Sequence, residues 1–255
     1  MERKIGAQMY TVRDYTQNAA DLEKCVEKLT KIGYTFGQAS AFPEMDANII
    51  KEICDKYGYR LTGSHTRWDK LINDTENVIR DHKIIGCMMP GTGSAPEYAR
   101  TSKDGLLRFM NEANELSDKL AAEGMTFTYH NHAFEFVRVD GDKTIMDIIP
   151  ECANDNFKLM VDVFWLAVAG INPVKFLRKY KDKIGGVHYK DLKVVDNAPA
   201  MCEIGLGNLE WDEICAVCDE IQPRFIYVEQ DTNWPKDPFA SLETSYNYLK
   251  KLGYK

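Results

Sequence analysis

The 255-residue chain is short of histidine, of paired cysteine, of positive charge and of long apolar runs. Each shortage excludes something. The longest apolar stretches, such as 159–163, are broken by charge well short of the ~20 residues a membrane span needs. The opening MERKIGAQMY has no apolar stretch of the kind a signal peptide carries, so a cytoplasmic protein is expected. A net charge of −7 without a basic stripe argues against nucleic acid as a partner, because that binding depends on neutralising phosphates. Seven cysteines, an odd number scattered from Cys25 to Cys218, read as reduced intracellular thiols and not as a disulfide framework. Cys215 and Cys218 do form a C-x-x-C, but inside an apparent helix (EWDEICAVCDEI) with no second pair, and are expected to be buried helical thiols.

What is present is a regular beat. Short apolar runs fall at 5–10, 34–40, 60–65, 84–91, 125–132, 157–165, 184–191 and 224–231. Helical patterns separate them, as in NAADLEKCVEKLTKIG, where Leu22, Val26, Leu29 and Ile32 recur at helix spacing and Gly33 marks the stop. Eight strand–helix units in about 250 residues predict an α/β fold, a (β/α)₈ TIM barrel forming a single domain over 1–255. A doubly wound open sheet is the competing arrangement. Against it, AQMYTVRD stands where a Gly-rich phosphate turn should follow the first strand. GTGSAP, at 91–96, lacks a Lys-Ser/Thr partner and reads as a plain loop.

In such barrels the active site lies at the C-terminal ends of the strands. There the first four runs supply Gln8, Tyr10, Gln38 and His65; the last four supply His130 and His132, Asp162, His188 with Lys190, and Glu229 with Asp231. Three of these strand ends, 162, 188 and 229, follow position 130 at steps of 32, 26 and 41 residues, close to one strand–helix unit each, so they are neighbours round the barrel mouth. A single His or Asp at a strand end is usually solvated or a cap. Four consecutive strands ending in such residues point to a divalent metal, since an aspartate inside the apolar LMVDVFW costs several kcal/mol unless paired or metal-bound. Imidazole mixed with carboxylate suits Mn²⁺, Zn²⁺, Co²⁺ or Fe²⁺; Mn²⁺ is the expected ion.

GAQMYTVRD, YHNHAFEF, VDVFWLAVAG, VHYKDLK, IGLGNLEW and YVEQD carry a resemblance that runs nearly end to end. The chain resembles the sugar phosphate isomerase/epimerase family, xylose isomerase-like TIM barrels that also include inosose dehydratases and, more distantly, endonuclease IV. The resemblance implies a metal held at strands five to eight, usually by Glu, Asp, His and Glu, of which Asp162, His188 and Glu229 match the last three. The first ligand departs from the pattern: either His130 coordinates directly, or Glu135 folds back to supply the carboxylate. Glu135 is the preferred ligand, with His130 and His132 then facing the substrate.

The resemblance also implies the chemistry: isomerisation or epimerisation of a sugar, sugar phosphate or cyclitol by proton transfer next to a carbonyl. Glu229 and a histidine of YHNH would be acid and base, and Lys190 would neutralise an enolate oxygen. Family epimerases use two metal-bound glutamates, so a histidine at 130 keeps elimination by a lyase or dehydratase open. A non-catalytic sugar-binding barrel is the third reading. Gln8, Tyr10, His65 and Trp165 are the expected substrate contacts, Arg13 and Arg67 the candidate phosphate anchors, and association into a homo-oligomer is left open.

Overall fold

A computed structural model describes residues 3–255. Eight parallel strands close into a barrel in sequence order: β1 (Gly6–Gln8), β2 (Phe36–Ser40), β3 (Arg60–His65), β4 (Pro90–Thr92), β5 (Phe127–His130), β6 (Phe157–Asp162), β7 (Ile184–Tyr189) and β8 (Phe225–Val228). β8 pairs back onto β1, so no barrel edge is left open. An outer helix follows each strand: α1 (Ala19–Ile32), α2 (Ala47–Lys56), α3 (Thr75–Ile85), α4 (Lys103–Ala122), α5 (Ile145–Cys152), α6 (Pro173–Lys179), α7 (Trp211–Ile221) and α8 (Pro238–Lys251). This is the expected (β/α)₈ TIM barrel.

The helices start and stop where local chemistry says they should. Asn18 caps α1 by accepting from Asp21 N, and Gly33 ends it at φ 128°, a conformation side chains resist. Pro173 stands in the first turn of α6, where its missing N–H costs nothing. The apolar faces of the helices bury Leu22, Val26 and Leu29 of α1, Leu106, Phe109 and Leu116 of α4, and their counterparts against the outside of the sheet. Phe36, Met160 and Tyr227, from strands that are not neighbours, meet Met89, just before β4, as a separate cluster, and only the barrel interior allows that. Cys215 and Cys218 are buried free thiols on α7, as expected.

Two strand expectations need correction. The run 84–91 is a strand only from Pro90, because Ile84 and Ile85 complete α3 and Gly86 closes it at φ 81°. The run 157–165 turns helical at Val163: Asp162 Oδ1 accepts from Phe164 N (2.9 Å) and Trp165 N (3.2 Å), capping the short helix Val163–Val168. That cap holds one carboxylate oxygen of Asp162 and leaves the other for the barrel mouth.

Candidate metal centre

His130 and Asp162 are the last residues of β5 and β6, His188 is the last but one of β7 and Glu229 directly follows β8, and one ligand atom from each lies within 4.8 Å of all the others. All four are buried. The orientation of each ring is set from behind. His188 Nε2 donates to Gln38 Oε1 at 2.6 Å, which puts the lone pair of its neutral ring on Nδ1. Gln38 Oε1 is identified as the carbonyl oxygen by a chain of donors: Tyr10 N donates to Gln8 Oε1 (3.1 Å), and Gln8 Nε2 donates to Gln38 Oε1 (2.7 Å). His130 Nδ1 donates to the carbonyl of Gly93 (3.2 Å), so its Nε2 carries the lone pair.

Lone pairs therefore face carboxylates. His188 Nδ1 stands 2.9 Å from Glu229 Oε2, and no donor meets that nitrogen. His130 Nε2 stands 3.3 Å from Asp162 Oδ2. A proton between each pair would remove the clash, but burial disfavours the charged ring: it holds His130 well below its ordinary value and pushes His188 down to about 3. Acceptors gathered this way, dry and opposed, match what a cation needs. The mixed nitrogen and oxygen donor set fits a transition metal ion better than Mg²⁺ or Ca²⁺.

Lys190, 1% exposed, supplies the positive charge at the site. Its Nζ lies 3.2 Å from Asp162 Oδ2, 3.0 Å from Glu229 Oε2 and 2.9 Å from Asp231 Oδ2. Burial opposes that charge, but the three carboxylates together outweigh it and raise the pKa. Burial, and then the like charge of Glu229, pushes Asp231 up to about 7.

Glu135 is not in the cluster. Its Oε1 accepts from Tyr129 Oη (2.7 Å) and its Oε2 from His132 N (2.7 Å), and burial pushes its pKa up to about 8. Of the two candidates for the first ligand, the cluster holds His130. His132 lies past the end of β5, but its ring is 4.8 Å from that of His130 and 5.3 Å from Trp165. Burial brings it down to about 4. Trp165 is also 5.8 Å from Lys190 Nζ, and His65 packs 5.0 Å from His130 and 5.4 Å from His188. Gln8, expected to touch substrate, donates to Gln38. Tyr10 is 37% exposed and has Arg13 over its ring at 4.4 Å, so it stands at the rim.

Two roles escaped the sequence reading. Gln38 was visible as a strand-end residue, but nothing local ties it to a histidine 150 residues away. Asp191 accepts from Leu192 N, Gly205 N, Gly207 N, Leu209 N and Trp211 Nε1, and so anchors the loop that leads into α7. The GLGNLEW run was its signal: closely spaced glycines whose bare N–H groups can crowd one carboxylate.

A family model for the xylose isomerase-like TIM barrel matches residues 26–252. The chain belongs to that family. It is 32% identical over 84 residues to an inosose dehydratase of Clostridium botulinum, a match that takes in 32% of this chain and 27% of the relative. Solved structures share the fold. A sugar phosphate isomerase/epimerase of Parabacteroides distasonis superposes with a TM-score of 0.80 at 20% identity, covering 98% of this chain and 94% of that one. An L-ribulose 3-epimerase gives 0.74 at 15% identity, with 99% and 94% covered. A probable 3-DHS dehydratase from Bacillus anthracis gives 0.75 at 14%, with 97% and 98% covered. No helix among the described residues is long and apolar enough to cross a membrane.

Proposed function

We propose that the chain is a divalent metal-dependent enzyme that moves a proton at the carbon next to a carbonyl of a sugar or cyclitol, an isomerase or epimerase. The observation that carries this is the pair of opposed, buried acceptors, His188 Nδ1 against Glu229 Oε2 and His130 Nε2 against Asp162 Oδ2. These four residues would hold the ion, with Mn²⁺ the first choice. When bound, it would polarise substrate oxygens as a Lewis acid.

The chain's own groups would do the rest. Glu229, whose pKa burial raises, and His132, whose Nδ1 has no partner, are the groups for carrying the proton. The Lys190 ammonium would stabilise negative charge on the neighbouring oxygen, in a site dry enough for that interaction to count. Trp165 would offer a ring face to the substrate.

One observation favours a second reading, elimination by a lyase. The ligand set contains one glutamate, and the histidine at 130 removes the second carboxylate that a symmetric epimerisation would use. The similarity to a dehydratase supports the same reading. Turnover in D₂O of substrates labelled with tritium at the reacting carbon tests both. Release or exchange of the label with unchanged composition supports the epimerase; release with loss of water or of a leaving group supports the lyase. Turnover that leaves the label in place, untransferred, overturns proton transfer altogether.

A further inference from the structure

We infer that the protein carries a hydrolytic site outside the barrel, where Ser64 and His82 cleave uncharged carboxylic esters with a short apolar acyl chain. This site is separate from the metal centre and does not rest on the reading above.

A cavity of about 660 Å³ lies between α2 and α3, on the outer side of β2 and β3. A β-bulge brings Ser64 to it. Gly37 and Gln38 of β2, adjacent in sequence, pair with Leu61 and Gly63 of β3, so Thr62 is an extra residue there. Thr62 goes inward and meets Tyr227 Oη at 2.8 Å, while Leu61 and Ser64 both line the outer cavity. In a regular strand, residues three apart would face opposite sides. His65 then falls on the inner face against His130 and His188, and Ser64 is left outside.

Ser64 stands beside a base. His82 Nδ1 is 2.7 Å from the carbonyl of Val78, which can only accept, so Nδ1 carries the hydrogen. Nε2 holds the lone pair, and Ser64 Oγ donates to it at 2.7 Å. That is the tautomer a general base needs, and burial favours the neutral ring. A hydroxyl within hydrogen-bond reach of a base that a third group orients is the arrangement that activates a serine. Thr66 Oγ1 lies 3.1 Å from Ser64 Oγ. With the Ser64 hydrogen committed to His82, the Thr66 hydroxyl is the donor at hand for an oxyanion forming beside Ser64.

The walls of the cavity define the substrate. Ile50, Leu61, Val78 and Cys87 give it a buried apolar lining suited to a short acyl chain. At the rim the cations are engaged: Arg67 grips Asp69 through Nε (3.0 Å) and Nη2 (2.7 Å), and Lys70 faces Glu44 at 4.0 Å. An acyl group with a negative charge of its own would meet carboxylates there. Ala41, at the opening, holds φ 57°, a left-handed conformation that a side chain resists, and such strain gathers at ligand sites.

In the reaction, Ser64 Oγ adds to the ester carbonyl carbon as His82 Nε2 takes its proton. The bond to the alcohol oxygen breaks, and His82 returns the proton to that leaving oxygen. Water then adds to the acyl-serine with His82 again as base, the carboxylic acid leaves, and Ser64 recovers its hydrogen.

Hydrolysis of p-nitrophenyl butyrate, read by phenolate release, tests this beside labelling with a fluorophosphonate mapped by mass spectrometry. Native protein should outpace heat-denatured protein, and the fluorophosphonate should add to Ser64 with loss of fluoride. Ser64→Ala, His82→Gln and Thr66→Val, each with the circular dichroism of wild type, should be slower by about 100-fold or more. If Ser64→Ala does not fold, the adduct on native protein decides alone. Release no faster than from denatured protein overturns the inference, as does an undiminished rate in folded Ser64→Ala, or a native protein that is not labelled at Ser64.

Discussion

Gln38 Oε1 accepts from His188 Nε2 at 2.6 Å, and through that single bond a residue on β2 decides which nitrogen of a β7 histidine faces the barrel mouth. The same oxygen accepts from Gln8 Nε2, so two strands of the first half of the barrel brace a ligand on the second half. Gln38→Leu should therefore free the ring and lower metal affinity about 10–100-fold, the range seen when groups behind a ligand are removed. Gln8→Leu should have a smaller effect in the same direction. Mn²⁺ titration of the folded variants decides it, and affinity equal to wild type in Gln38→Leu would refute the brace.

His130 stands in the cluster of candidate ligands, and Glu135, expected there, stands outside it. His130→Ala should lose most of the metal affinity, whereas Glu135→Gln should keep it. Above about pH 8, where its carboxylate is ionised, Glu135→Gln should instead lower stability by about 1–3 kcal/mol, because an amide cannot accept from both Tyr129 Oη and His132 N as the carboxylate does. Denaturant unfolding of metal-free protein beside a Mn²⁺ titration separates the two. The reverse pattern would restore Glu135 as the ligand.

Asp162 does two jobs with its two oxygens, and a conservative substitution can part them. Asp162→Asn keeps Oδ1 for Phe164 N and Trp165 N and should preserve the fold while abolishing turnover. Asp162→Ala should also lose the cap, at a further cost of about 1 kcal/mol. Equal melting temperatures for the two variants, measured without metal, would show that the cap contributes nothing.

His82, far from the mouth motifs in sequence, gives a pH prediction. Its Nδ1 meets the carbonyl of Val78 and its Nε2 the hydroxyl of Ser64, both at 2.7 Å, an arrangement that a neutral ring satisfies completely. Burial holds its pKa below the ordinary 6.5. The unfolded chain then binds a proton that the folded one refuses, so stability is complete above about pH 6.5 and is lost as the pH falls through the folded value. Denaturant midpoints should decline from about pH 7 to about pH 5, and His82→Gln should flatten the decline. The same slope in that variant would assign the effect to other groups.

Chelation is the broadest check. An ion that binds only the folded chain stabilises it, so EDTA should abolish turnover and lower the melting temperature, and Mn²⁺ should restore both. Full activity after exhaustive metal removal would discard the metal centre.

Much of this molecule is local. Period-two apolar runs and period-3.6 helical faces are imposed by backbone geometry on a few neighbouring residues, so the eight-unit barrel could be read along the chain, and β3 lies where its run predicts, at 60–65. Because strand ends in a closed barrel converge, Asp162, His188 and Glu229 could be named as neighbours too. Where the same local signal serves two structures, the reading failed: Ile84 and Ile85 are as apolar at the end of a helix as at the start of a strand. The choice between His130 and Glu135 lay beyond any local rule. Both are within reach of the mouth by chain length, and only packing decides: Tyr129 and the amide of His132 claim the carboxylate, Gly93 turns the imidazole, and Gln38, from across the barrel, aims His188. Hydrogen bonds between side chains far apart in sequence set tautomer and direction, and those are properties of the folded chain alone.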